Sequence, residues 1–141
     1  MPPRRSEVTE DRPLRADAQR NRRRVLEAAE TVFSRSGNGA TIEDVAKHAG
    51  VGVGTVCRHF PTKQALLDEV LNEGYRELIV AIDAALEAEE PASAFDWYVH
   101  QCAAHQARRR ALAEQMASEL TMTVDAELQR DLRTKTATLL E

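Results

Sequence analysis

Residues 41–66 read TIEDVAKHAGVGVGTVCRHFPTKQAL, and the punctuation inside this run sets the architecture. Thr41 followed three positions later by Asp44 predicts a helix N-cap with a capping-box acid. Gly50 supplies the terminator, because glycine enters the left-handed region without a Cβ clash. A short helix therefore spans about residues 42–49. A second short helix covers about residues 53–60 and is closed by Pro61, which cannot sit in a helix interior. Two short helices joined by a glycine turn have the shape of a helix-turn-helix. Ile42, Val45 and Ala46 are placed to pack on Val56 and Phe60, which sit at i and i+4. Val53, Gly54, Thr55, Cys57 and Arg58 are then left facing outward. A helix of this kind fits the major groove of B-DNA, about 12 Å wide, while the helix before it crosses the backbone.

The flanks extend the same helical logic. Upstream, Val25, Leu26, Ala28, Ala29, Val32 and Phe33 fall at the offsets of one buried face, predicting a helix over about 16–36 that ends at Gly37-Asn38-Gly39. Arg20, Arg22, Arg23 and Arg24 crowd its first half; a solvated face accounts for some of them, phosphate attraction for others. Downstream, Leu66, Leu67, Val70, Leu71, Leu78, Ile79, Ile82 and Leu86 form the stripe of a long helix over about 62–87. Gly74 inside it predicts a local bend. Beyond Pro91 the pattern gives a helix with Phe95, Trp97, Tyr98, Val99 and Cys102, then one over about 109–122 and one from about 125 to the end. No period-two run is long enough for a strand.

Composition agrees with an all-α globular chain. Of 141 residues 43% are hydrophobic and 30% charged, which excludes a disordered polyelectrolyte. No apolar stretch approaches the roughly 20 residues that span a bilayer, and no apolar run follows the arginines of the first 14 residues as a secretory signal requires. That segment reads as a disordered arm. Cys57 and Cys102 make no disulfide framework, which points to the cytoplasm. The net charge of −4 is divided unevenly: +4 up to Lys63 and −8 after it. A basic head on an acidic body suits a polyanionic partner for the head alone.

With these residues in place, the run from Thr41 to Leu66 resembles the DNA-binding signature of the tetracycline-repressor (TetR) family. Residues 15–21 and 25–29 are similar to the first helix of that family. The resemblance is dense from Arg15 to Leu71; past Gly74 only helix order and amphipathicity agree. It implies a three-helix DNA-binding head (15–61) and a helical ligand-binding and dimerisation body (62–141). It implies a sequence-specific transcriptional regulator, a ligand-released repressor that binds double-stranded operator DNA as a homodimer and answers a small-molecule effector. By position, Val53, Gly54 and Cys57 match places that face base edges, with Arg58 beside them. Thr41, Thr55, His59 and Lys63 match places that hold phosphates. Cys57 stands where the family usually has tyrosine, so a contact with DNA is lost there. Members of the family usually carry further C-terminal helices that build the dimer interface. This chain ends at Glu141, inside what resembles the seventh helix, so a naturally short member, a truncated product and an incomplete chain all fit.

Trp97, Tyr98, Met116 and Met122 are candidates to line an effector pocket between helices, although ordinary core suits each of them as well. His100 and His105 lie about 140° apart around a helix, the wrong spacing for a helical metal site, and His48 is expected near the surface. Arg108-Arg109-Arg110 reads as a solvated turn between helices. The glycines at 50, 52 and 54 lack both the preceding strand and the spacing of a dinucleotide loop. The expectation is a protein without enzymatic activity, cofactor, metal or membrane partner.

Overall fold

Side-chain chemistry sets the helix boundaries of the N-terminal half. Thr41 Oγ1 accepts the Asp44 N–H and Asp44 Oδ2 accepts the Thr41 N–H, each at 3.1 Å, the reciprocal pair that satisfies two otherwise orphaned donors. Gly50 closes the same helix at φ 72°, its N–H reaching the Ala46 and Lys47 carbonyls. Thr62 Oγ1 accepts the Ala65 N–H at 3.0 Å and opens the next long helix. The computed structural model describes residues 5–116 and 122–141, with side chains from Pro13 onward. It contains α1 (Arg5–Ser36), a 3-10 turn (Gly37–Gly39), α2 (Ile42–Ala49), α3 (Val53–His59), α4 (Lys63–Glu87), α5 (Pro91–Gln115) and α6 (Ala126–Leu139). Among the described residues there is no strand.

Burial sorts these helices around two cores that share α4. The larger takes the whole expected stripe of α1 together with Val45 and Ala46 of α2, Val56 of α3, Phe60, and Leu66, Leu67, Val70 and Leu71 of α4. Leu112 and Met116 at the end of α5 and Val124 join it from the C-terminal half. The smaller core holds Ala81, Ile82, Ala85 and Tyr98, with Cys102, Leu132 and Leu139 packed against it. No residue of α6 is buried. Polar contacts fasten that helix instead: Tyr98 and Thr136 share a hydrogen bond of 2.9 Å, and Lys135 pairs with Asp83 at 2.9 Å. The Asp125 N–H reaches Asn72 Oδ1 at 2.9 Å.

Four expectations are corrected here. The helix expected to begin near Ala16 begins at Arg5, so residues 5–14 continue α1 and are not a disordered arm. Extending a formed helix costs far less than nucleating one, and Glu, Arg and Leu are good helix formers, which offsets Pro13. The two helices expected on either side of Arg108-Arg109-Arg110 are one helix, because no glycine or proline interrupts the chain from 92 to 115. The arginines are not a turn: Arg108 pairs with Glu77 at 3.3 Å and faces Glu30 at 3.9 Å, while Arg110 pairs with Glu114 on its own helix. The part of the expected 109–122 helix that covers 117–121 lies outside the described residues. Finally, Leu86, Phe95, Trp97 and Val99 are 39–46% exposed and do not belong to a buried stripe.

Gly74 marks a close approach. α4 runs unbroken through it, and a Cβ there would lie 2.8 Å from Cε1 of His105 on α5. Gly37, at φ 50°, plays a similar part for the 3-10 turn, since a Cβ would strike the Gln115 carbonyl. Two glycines thus let α5 settle against both the α4 spine and the end of α1. Among the described residues, no helix is long and apolar enough to cross a membrane.

Candidate nucleic-acid interface

α3 carries its two faces as the helix period requires. Val56 is fully buried and Phe60, just past the helix, is 4% exposed; both join Val45 and Ala46 of α2 in the larger core, with Ile42 packed on it. The opposite face presents Val53, Gly54, Cys57, Arg58 and His59 to solvent, and Thr55 is half-buried at the edge. Seven residues at about 1.5 Å each make a rod of roughly two turns, enough for a few side chains to reach base edges. Arg22 braces this unit from α1: its guanidinium lies 5.5 Å from the Phe60 ring centroid, within cation–π range.

The flanking polar groups keep capacity for phosphate. Thr41 accepts the Asp44 N–H through its hydroxyl oxygen, so its own O–H remains free to donate. Lys63 Nζ donates to the Asn38 carbonyl at 2.8 Å, which holds the ammonium at the rim with further N–H groups to offer. His48 and Lys47 are exposed on α2. Between Asp44 and Asp68 the sequence contains no acidic residue, while Lys47, Arg58 and Lys63 contribute positive charge. This acid-free interval is a sharper electrostatic signal than the half-chain totals.

The arginines of α1 divide. Arg20 pairs with Asp17 one turn before it. Arg22 pairs with Glu69 at 2.7 Å, and Arg76 holds the same carboxylate from about two turns further along α4. Burial works to raise the Glu69 carboxyl, but the hydrogen bonds from Arg22 and Arg76 outweigh it and hold the group below its ordinary value. Arg22 is thereby part of the joint between α1 and α4 rather than of a phosphate-binding face.

The effector candidates are dispersed. Tyr98 is buried in the smaller core, and its phenol is pushed up to about 12, chiefly by burial. Met116 is buried in the larger core, Met122 packs against it, and Trp97 is 46% exposed. None of the four lines the cleft of about 640 Å³ that opens between α1, α4 and α5, which is walled instead by Leu26, Val70, Leu71, His105, Arg109 and Leu112 among others. His100 is exposed and His105 buried, and no group of three His, Cys, Asp or Glu among the described residues is arranged to hold a metal.

An exposed reading helix clamped by a capped partner defines a helix-turn-helix protein, and the comparisons with known proteins agree. Residues 25–70 match the family of bacterial regulatory proteins of the tetR type. The chain is 35% identical to the TetR transcription regulatory protein from Mycobacterium vanbaalenii, with a TM-score of 0.71 over 91% of this chain and 75% of that one. For the TetR transcriptional regulator SCO0520 from Streptomyces coelicolor the identity is 26% and the TM-score 0.68, covering 84% and 69%. Among curated sequences it is 33% identical over 112 residues to the transcriptional repressor KstR of Mycolicibacterium smegmatis, 77% of this chain and 55% of that protein. It is 40% identical over 78 residues to the uncharacterized regulator YhgD of Bacillus subtilis, 55% and 39%. The chain therefore spans between about two fifths and just over half of these curated relatives. It belongs to the TetR family of transcriptional regulators.

Proposed function

We propose that the chain represses transcription by gripping duplex operator DNA as a homodimer, with α3 in the major groove, and that a small-molecule effector releases it. The observation that carries this reading is the outward face of α3, small and polar, within a stretch from 45 to 67 that holds no acidic residue. Val53, Gly54 and Cys57, with Arg58 beside them, are the base-facing set; Thr41, Thr55, His59 and Lys63 take phosphates. Valine and glycine offer few hydrogen bonds, so thymine methyl contacts and DNA shape carry much of the sequence choice. Residues 15–61 serve as the reading head and 62–141 as the regulatory body, in the cytoplasm. A second copy is needed because one two-turn helix offers too little contact for specific binding. Exposed Val80 on α4, and Phe95 and Val99 one turn apart on α5, supply apolar surface that a second copy would cover. An effector that binds the released state preferentially shifts the spacing of the two heads out of groove register.

The test is fluorescence anisotropy of the full chain with the DNA flanking its own gene. Specific binding is expected, at least about a thousandfold tighter than to random duplex and steeply weakened by salt. Lys63→Ala is expected to weaken all sequences alike, and Cys57→Tyr to tighten the operator by restoring contact area. Equal affinity for random and flanking DNA would remove the reading.

A further inference from the structure

His105 lies on α5 where it crosses α4, and its burial is built in. Tyr75 meets the ring edge-on, with centroids 5.2 Å apart and planes at 90°. Gly74 leaves room for the ring that no other residue would leave. His105 is 9% exposed, and its Nε2 is buried with no hydrogen-bond partner among the described residues. Leaving a buried nitrogen unsatisfied is costly, and such a group calls for an explanation. Burial, and then the positive charges of Arg108 and Arg109, hold this imidazole below its ordinary value. The ring is therefore neutral near pH 7 and offers one N–H.

The same ring forms part of the cleft of about 640 Å³ between α1, α4 and α5, inside the size range of small-molecule sites. Arg109 follows one helical turn after His105 and also lines it. Its Nη1 donates to a neutral partner, the Tyr75 hydroxyl at 2.9 Å, which leaves its charge unbalanced by that contact. The carboxylates along the walls are largely engaged elsewhere: Glu77 and Glu30 with Arg108, Glu73 with Arg76. Glu27 stands exposed at the rim. Leu26, Val70, Leu71 and Leu112 supply the apolar surface.

We propose that this cleft binds a small organic carboxylate with a compact apolar body, its oxygens held by the Arg109 guanidinium and the single N–H of the neighbouring His105 ring. The apolar body lies on Leu26, Val70, Leu71 and Leu112. Because α1 belongs to the reading head and α5 to the body, such a ligand bridges the two and is placed to bias their relative angle. That consequence rests on the repressor reading above; the binding itself does not.

Naphthoate, titrated into the full chain without DNA and followed by its own fluorescence, is the probe. Saturable one-site binding is expected, at least about tenfold weaker for naphthylmethanol, which lacks the carboxylate. His105→Phe keeps the aromatic contact with Tyr75 but lacks the nitrogen, and Arg109→Gln removes the charge; each is expected to weaken naphthoate about tenfold or more. Absence of saturable binding, equal binding of the alcohol, or indifference to both substitutions would overturn the proposal. Should His105→Phe fail to fold, Arg109→Gln and the alcohol still decide. Binding without any operator affinity would sink the repressor reading and leave the site standing.

Discussion

In the head, Phe33, Val25, Val45, Val56, Leu66 and Leu67 are sealed from water, drawn from α1, α2, α3 and the start of α4. In the body, the core formed by the end of α4 and by α5 is reduced to Ala81, Ile82, Ala85 and Tyr98, while Val80, Trp97, Val99 and Phe95 remain 41–69% exposed. One half satisfies its own apolar surface and the other leaves a share of it uncovered. On the function proposed above, the head would need rigidity from its own contacts to hold a rod in a groove, and the body would need surface in reserve for a ligand and a second copy. The joint between them is polar and tight: Glu69 clasped by Arg22 and Arg76, Lys63 on the Asn38 carbonyl, Gly37 under Gln115; within the body a second joint, between α4 and α5, sets Gly74 under His105.

The largest effect expected from this contrast is on stability. Phe33→Ala opens a cavity in the sealed core and is expected to cost about 3–5 kcal/mol, whereas Trp97→Ala on the body is expected to change stability by about 0.5 kcal/mol or less. Urea unfolding of the two variants measures both. Comparable losses would mean that the body packs as firmly as the head.

A smaller and more local effect separates two glycines. Gly54 has open space where a Cβ would go, so Gly54→Ala gains helix propensity, up to about 1 kcal/mol, while changing the outward face of α3. Gly74→Ala gains the same propensity but drives a methyl to 2.8 Å from a ring already fixed by Tyr75, and overpacking of this kind costs about 1–3 kcal/mol. Opposite signs are expected in thermal unfolding. A stabilised Gly74→Ala variant would show that the α4–α5 joint yields easily.

How much of this the bare sequence disclosed follows the same division. The head was readable because its signals are local: Thr41 and Asp44 cap within one turn, Gly50 must take positive φ, and Val56 with Phe60 are one turn apart. The body was misread where sequence offers no local mark. No breaker stands between 92 and 115, yet three arginines in a row read as a turn between two helices. Their partners Glu30 and Glu77 lie on other helices, which no window along the chain reveals. Gly74 looked like a bend because its use depends on a residue 31 positions away. The cleft, for the same reason, had no signature: its walls come from three helices, and the four aromatic and sulfur-bearing candidates lie outside it. His105 reads in the sequence only as a histidine at the wrong spacing for a helical metal site, because nothing local shows whether its nitrogen will find a partner.

The smallest effect expected is also the most specific to the joint. His105 is held below its ordinary value of 6.5, first by burial and then by Arg108 and Arg109. Tyr75 faces it from α4, and the wider cleft adds Glu73 and Glu77 from α4 and Arg22, Arg23, Glu27 and Glu30 from α1. With the folded value depressed, the unfolded chain takes up the proton first as pH falls. Stability is then complete above about 6.5 and declines as pH drops through it, because the unfolded state binds more protons. Glu69 acts in a different window: its folded value lies below the ordinary 4.5, so its contribution is present above that pH and lost only beneath it. Urea midpoints at about pH 7.5 and about pH 5.5 therefore isolate the histidine. The parent is expected to lose stability between them, and His105→Phe to lose distinctly less. An identical loss in both would show that the acid sensitivity does not come from His105, and would remove the body's claim to respond first to protons.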